Sequence, residues 1–315
     1  MKVFVAGATG ALGTQLLPML VEDGHDVVGM TRSEGKRTML RDLGAQPVVV
    51  DALDADAVQR AVEAAEPDVI VHQLTAIPPA INMRRFDRAF APTNRLRTEG
   101  TDNLLRAGRA VGVKRFVAQS NAGVPYAPTG GPVKTEDDAL DLNPPAAMRE
   151  GIAAIRHLEE AVMKAHGIEG VVLRYGWFYG PGTSVALEPL GSIVEAIRKR
   201  QFPIVGDGDA VWSWIHIHDA ATATRIAVEG GPAGIYNIVD DEPATVAEFL
   251  PVLADAVGAK PPRRVPRWVG RLVAGEAGVR AMTELRGSSN AKAKRQLDWA
   301  LRYPSWRQGF VDGLR

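Results

Sequence analysis

Cysteine is absent from this 315-residue chain. That excludes disulfides, thiolate metal centres and a cysteine nucleophile. Net charge is missing as well: 37 Lys and Arg balance 37 Asp and Glu. There is therefore no overall basic field of the kind that draws nucleic acid, and a small-molecule partner is the expectation. No apolar run reaches the ~18 residues of a membrane span, and a strand-like run already begins at Val3. Neither a signal peptide nor membrane attachment is expected, and the chain reads as cytoplasmic. Internal repeats and low-complexity segments are lacking too. What is present is a 46% hydrophobic content, enough for one large α/β body with a smaller lobe.

The most informative segment is Gly7-Ala8-Thr9-Gly10-Ala11-Leu12-Gly13, which follows the apolar run Val3-Phe4-Val5 and leads into the helical stretch from Thr14 to Glu22. A glycine-rich turn between a buried strand and a helix suits a dinucleotide. The first glycine permits the tight turn, the second lets backbone approach a pyrophosphate, and the third lets helix and strand pack closely. A plain strand-to-helix turn would need only one or two of them. Further apolar strands are expected at Asp26–Met30, Pro47–Val50, Asp68–His72, Arg115–Ala118 and Gly170–Arg174, separated by helices at 35–43, 54–64, 98–110 and 152–165. Near-continuous apolar strands alternating with helices predict a parallel sheet covered on both faces. The expected fold class is thus α/β, a Rossmann-type doubly wound parallel sheet. Beyond Gly176 the rhythm loosens around Pro181, Pro189, Pro203 and Gly206-Asp207-Gly208, as in a substrate lobe set over the carboxyl edge of such a sheet.

Several ordered segments resemble the extended short-chain dehydrogenase/reductases, which include nucleotide-sugar epimerases and dehydratases. They are the Gly7/Gly10/Gly13 turn, Gly100-Thr101-Asp102-Asn103-Leu104-Leu105, Arg115-Phe116-Val117 with Ser120, and Leu173-Arg174-Tyr175 with Tyr179-Gly180-Pro181-Gly182. Gly206-Asp207-Gly208, Trp214 to Asp219, Tyr236-Asn237-Ile238 and the closing stretch Lys292 to Gly313 follow in order. The resemblance implies a dinucleotide-binding domain over residues 1–175 and a mainly substrate-binding lobe over 176–315, with about 211–240 returning to the first body. It also implies a homodimer built on the helices around Thr98 to Ala110 and Ile152 to Ala165.

The chain departs from that family at its proton-transfer machinery. Most members carry a Tyr with a Lys four residues later, the Lys lowering the phenol pKa. The residues four places after Tyr126, Tyr175, Tyr179, Tyr236 and Tyr303 are Gly130, Tyr179, Thr183, Asp240 and Arg307. Alignment through Glu159-Glu160-Ala161-Val162 puts the motif on Gly151 and Ile155, or on Ile152 and Arg156. An expected Asn is Arg97, and the residue after Ser120 is Asn121 where a Ser is expected.

For the cofactor, Gly7, Thr9, Gly10, Ala11, Leu12 and Gly13 would take the pyrophosphate. Thr31-Arg32-Ser33 offers a guanidinium and hydroxyls to a ribose 2′-phosphate, so NADP(H) is expected over NAD(H), although Glu34 could serve as a ribose acid. Asp51 with Ala52 would meet the adenine, or cap a turn. Gln73, Leu74, Thr75 and Ala76 would pass the riboses and pyrophosphate, and Tyr175 and Gly176 the nicotinamide. Catalytic candidates are Ser120, which could hydrogen-bond a carbonyl oxygen or simply hold its loop, Tyr126 as a relocated proton donor with Tyr175 and Tyr179 as alternatives, and Arg97. Arg97 could hold an anionic group or belong to a solvated face with Arg84, Arg85, Arg88 and Arg95. Trp177, Phe178, Tyr179 and Trp212 are candidate substrate contacts, although each could equally be core. His216-x-His218 with Asp219 has metal-like spacing, but the segment fits the family pattern and Asp219 reads as a helix N-cap, so no metal is expected. The expected activity is an NADP(H)-dependent reduction of a small, hydrophobic or aromatic carbonyl, imine or alkene. Epimerase or dehydratase chemistry and a non-catalytic NADP(H) sensor are the alternatives.

Overall fold

The computed structural model describes residues 1–78 and 81–315. Its centre is a seven-stranded sheet of β1 (Lys2–Ala6), β2 (Asp26–Thr31), β3 (Gln46–Val49), β4 (Val69–His72), β5 (Arg115–Asn121), β6 (Glu169–Tyr175) and β7 (Gly234–Ile238). The strand order is β7-β6-β5-β4-β1-β2-β3 and every pairing is parallel. The order reverses beside β1, between β4 and β2. Such a switch point opens a crevice at the carboxyl ends of the strands.

Helices α1 (Ala11–Glu22), α2 (Arg37–Asp42), α3 (Ala55–Ala65), α4 (Phe86–Arg95), α5 (Thr101–Val111) and α6 (Arg149–Met163) lie between the strands. Side chains alternate across the sheet, as the pleat requires. Val3, Val5, Val71, Val117 and Val171 pack against Leu16 and Leu17 of α1 and against α8 (Ile217–Glu229), which follows α7 (Ser192–Arg198). Phe4, Ala6, Ile70, Phe116 and Val172 meet Val58, Leu104, Leu105 and Leu158 on the opposite face. Burial on both faces is the physical origin of the near-continuous apolar strands.

The helix expected over 98–110 proves to be part of a longer helical run. α4 passes through a π-helical segment, Leu96–Gly100, directly into α5. A second core, formed by Val194, Trp212, Trp214, Phe249, Leu253, Trp306 and Phe310, holds the lobe over the strand ends, together with α9 (Val246–Ala256) and α10 (Arg267–Thr283). Among the described residues no helix is long and apolar enough to cross a membrane.

Candidate active site

The glycine turn is demanded by its surroundings. Gly7 has φ of 91°, and a Cβ there would stand 2.5 Å from the Gln73 carbonyl oxygen. A Cβ on Gly13 would collide with the Ala8 backbone, so α1 seats directly on the turn. At Gly10 the added atom would meet only the Gly7 oxygen, at 3.4 Å, which leaves the outer side of the turn open. No side chain caps α1 at Gly10. Ala11, Leu12 and Gly13, in its first turn, therefore keep backbone N–H groups without intrahelical acceptors. Open space, free donors and the positive end of the helix dipole fit a pyrophosphate. Thr9 Oγ1 lies 3.4 Å from Thr31 Oγ1 and ties this turn to the end of β2.

At that end Arg32 is exposed, and the Ser33 amide donates to Thr31 Oγ1 at 3.3 Å. Glu34, also exposed, pairs with Arg37 at 2.6 Å. Asp51 does cap its own turn, accepting from the Leu53 amide at 3.0 Å, while the Ala52 carbonyl is held by Asn103 at 2.9 Å. The strand-four exit is pinned by a polar chain. The Leu74 amide donates to His72 Nδ1 (3.2 Å), His72 Nε2 lies 3.0 Å from Thr101 Oγ1, and Thr101 donates to the Arg97 carbonyl (2.7 Å). Burial pushes the His72 imidazole down to about 4, so it is neutral. Thr75 is exposed at this edge, and the Ala76 amide donates to Thr93 Oγ1 at 3.0 Å.

Behind the strand ends lies a buried polar network. Glu159 of α6 accepts from Ser120 Oγ (2.6 Å) and, with both oxygens, from Arg174 Nε (2.8 Å) and Nη2 (2.6 Å). Arg174 Nη1 donates to the Tyr126 hydroxyl at 2.8 Å, and that hydroxyl donates to Asn237 Oδ1 at 2.9 Å. This corrects the expectation of Tyr126 as a donor presented on an open loop. It is 1% exposed with its hydroxyl engaged twice, and burial raises its pKa. Ser120 is likewise directed to Glu159 and not into a cleft. Sequence reasoning used Glu159 only as an alignment anchor, yet it falls on the helical stripe Ile152, Ile155, Val162 and is 4% exposed. That spacing was the available signal.

The segment aligned with the family Tyr is apolar. Ile152 is buried with Met148 and Ala277, and Met83, Phe86 and Val124 pack around them. Arg97, in the π segment, is half-buried and has no side-chain partner among the described residues. Arg84, Arg85 and Arg88 are exposed, and Arg95 forms an exposed pair with Glu99 at 2.7 Å. Arg97 thus stands apart from that solvated face.

The aromatic candidates separate. Trp177 is half-exposed and stacks on buried Trp212, ring centroids 4.3 Å apart. Trp212 is itself core, donating to the Ala281 carbonyl at 2.7 Å, and serves to orient Trp177. Phe178 points to the other side, against Tyr175 at 5.3 Å. Tyr179 is fully buried against Trp214, His216 and Phe310, which corrects its expected role as a substrate contact. The Tyr175 ring is core as well: its hydroxyl pairs with Thr224 at 2.6 Å and its pKa is raised by burial. Only its backbone stays at the strand end with Gly176.

His216, and not Asp219, caps α8. Its Nδ1 accepts from the His218 amide and its Nε2 faces the Gly313 carbonyl at 3.0 Å, so both ring nitrogens are engaged. Asp219 instead accepts from the Arg302 and Tyr303 amides, at 2.9 Å each.

Residues 3–238 match the model of the NAD dependent epimerase/dehydratase family. The chain belongs to that family. It is an NAD(P)-dependent oxidoreductase of the extended short-chain dehydrogenase/reductase type. It is 41% identical over 312 residues, 98% of this chain and 99% of the relative, to the 3-diazoavenalumate denitrifying reductase of a Streptomyces species. It is 30% identical over 264 residues to the 4-hydroxy-2-methyl-3-oxo-4-farnesyl-3,4-dihydroquinoline-1-oxide ketoreductase of Stigmatella aurantiaca, covering 82% of this chain and 74% of that one. Among solved structures, the human epimerase family protein SDR39U1 with NADPH superposes with a TM-score of 0.77 at 21% identity, covering 100% and 99% of the two chains. That likeness is one of fold.

Proposed function

We propose that the protein uses NADPH to reduce a small aromatic electrophile that accepts hydride without needing a proton from the protein, an arenediazonium ion being the class that fits best. The observation that carries this is the apolar packing of Ile152, one of the two positions aligned with the family Tyr, with Met148, Ala277 and Val124, the Ser120 and Tyr126 hydroxyls both being engaged in the network behind. Reduction of a carbonyl needs a hydride and a proton; the ionisable group nearest Gly151, the Asp87 carboxylate, is held as an acceptor by the Glu150 and Gly151 amides and not presented as a donor. A diazonium group needs only the first: hydride neutralises the cation, the carbon–nitrogen bond breaks, and dinitrogen leaves behind a carbon–hydrogen bond. The name of the Streptomyces relative, a denitrifying reductase of a diazo compound, supports the same class.

When bound, the reduced nicotinamide supplies the hydride, and the protein supplies binding, orientation and a water-poor wall. Gly7 to Gly13 would hold the pyrophosphate, Arg32 and Ser33 the 2′-phosphate, Asp51 and Ala52 the adenine, and Gln73 to Ala76 the riboses. Gly176 would border the nicotinamide, and Trp177 offers a flat face to an aromatic ring. The test is to incubate the protein with benzenediazonium and NADPH deuterated at the transferring position. Deuterium in the benzene formed, at a rate exceeding that without protein, supports the proposal. Reduction of benzaldehyde alone, or benzene free of deuterium, would overturn the substrate class.

The homodimer implied by the family would use the outer faces of α5 and α6, where Asp102, Leu105, Arg106, His157 and Ala161 line a recess of about 490 Å³. A sedimentation mass of one chain at micromolar concentration would remove that reading.

A further inference from the structure

We infer that the first half of α10, with the basic segment before it, is a docking surface for an anionic phospholipid membrane, to which the protein attaches peripherally. α10 is broken at Gly275, whose φ of 68° and ψ of −172° are not helical. After the break Ala277 to Thr283 are all buried, whereas before it only Gly270 is. A Cβ on Gly270 would stand 2.5 Å from Val205 Cγ1, so this half of the helix presses its glycine against the strand Ile204–Val205. Trp268 and Leu272 each lie two residues from Gly270, hence on the side turned away from the body. They are 67% and 64% exposed, and Val273 beside them 73%. Single exposed apolar residues are ordinary, but three large ones on one short helical segment mark a surface that something covers.

The charge around them indicates what. From Ala256 to Gly275 the chain holds Lys260, Arg263, Arg264, Arg267 and Arg271 and no acid, and all five cations are exposed. Among the described residues only Arg271 of these is ion-paired, to Glu276 at 3.5 Å, and that pair is itself exposed. Arg264 Nη1 donates to the Asp207 carbonyl at 3.3 Å, and Arg200 Nη2 to the Pro261 carbonyl at 3.2 Å, which adds a sixth cation. A chain with no net charge thus concentrates positive charge at one place. Arg267 and Arg271, four apart, line one edge of the helix beside Trp268 and Leu272. A convex helix with arginines on its flank and Trp and Leu at its crest suits a lipid interface: the apolar side chains enter the acyl boundary, the guanidiniums meet phosphates, and the indole sits at headgroup level. An acidic protein would answer the charges but would need an apolar groove for the crest, whereas a bilayer supplies both at once. This departs from the expectation of no membrane attachment, which rested on spanning and signal segments alone.

The test is flotation with phosphatidylcholine vesicles and with vesicles that also contain phosphatidylglycerol, read together with tryptophan emission. Trp268 is the most exposed of the six tryptophans, Trp177 being half-buried and the other four at most 4% exposed, so a shift in emission reports this surface. The protein should float with the anionic vesicles and not with the neutral ones, its emission should move to the blue, and ~1 M salt, which cuts the screening length to ~3 Å, should release it. Arg263→Gln combined with Arg264→Gln should weaken partitioning about 25-fold, roughly fivefold for each cation near an anionic surface. Trp268→Ser should weaken it about tenfold, while Trp268→Phe should keep most of the binding and lose most of the blue shift. Because these side chains are exposed, the variants should keep the wild-type urea midpoint, which separates lost docking from lost fold. Failure to float with anionic vesicles, equal flotation with neutral ones, or no effect of the double arginine change would overturn the inference. So would binding to polyglutamate but not to vesicles, which would make the patch a site for an acidic protein.

Discussion

If Arg32 holds a ribose 2′-phosphate as proposed, Arg32→Ala should leave a protein that treats the two nicotinamide cofactors nearly alike. Arg32 is exposed at the end of β2, while the acid that could have selected NAD, Glu34, is paired with Arg37 at 2.6 Å. Two unit charges about 4 Å apart interact by ~1 kcal/mol in bulk water and ~4 kcal/mol at the effective dielectric of a protein surface. A hydrogen bond to a charged group is worth about 1.5–3 kcal/mol. A loss near 2 kcal/mol is the consistent middle, or about a 30-fold rise in the NADPH dissociation constant. NADH has no 2′-phosphate, so its affinity should move by less than about twofold. Fluorescence titrations of both cofactors on wild type and variant give the ratio directly. Raising salt toward 1 M, where the screening length falls to ~3 Å, should shrink the wild-type preference and leave the variant almost unaffected. If NADH affinity falls in step with NADPH, Arg32 touches the shared adenosine and the argument is wrong. An unchanged NADPH constant would also refute it.

Glu159→Gln should destabilise the fold by about 3–5 kcal/mol, because it leaves the 3%-exposed Arg174 without its counter-charge. Urea midpoints measure this, and the double change Glu159→Leu with Arg174→Met should recover much of the loss. A single-variant effect below about 1 kcal/mol would show that the pair is not truly buried. The neutral, buried His72 predicts an acid-sensitive fold. Its pKa is pushed from 6.5 down to about 4, so the unfolded chain binds the extra proton between these values. Stability is therefore full above about pH 6.5 and declines as pH falls toward 4, by ~3 kcal/mol for this group. Unfolding free energies across that window should show the slope in wild type, and His72→Gln should flatten it. An equal slope in both proteins would assign the effect elsewhere.

What could be read from the chain was what local rules determine. The glycine turn was legible because Gly7 and Gly13 answer to steric limits within a few residues, and the sheet because burial on both faces writes continuous apolar strands. Tyr126 follows the end of β5 by only a few residues, but its orientation is set by Arg174 and Asn237, 48 and 111 residues away. The stretch Trp177–Tyr179 forms a strand in which successive side chains face opposite ways, so three consecutive aromatics could not all meet one substrate. That much was available from a period of two. Glu159 was also available, as an acid on an apolar stripe, while the π segment Leu96–Gly100 is one that no local pattern announces. The lost Tyr–Lys pair is a different case. Its absence is a fact of sequence, but an absent motif can be replaced by another acid, by water or by packing, and only the tertiary contacts of Ile152 distinguish these. On the proposed reading, packing retained beside an open glycine turn uncouples hydride delivery from proton donation, which are joined in most of the family. That reading requires an electrophile already carrying the positive charge that a proton would otherwise have to bring.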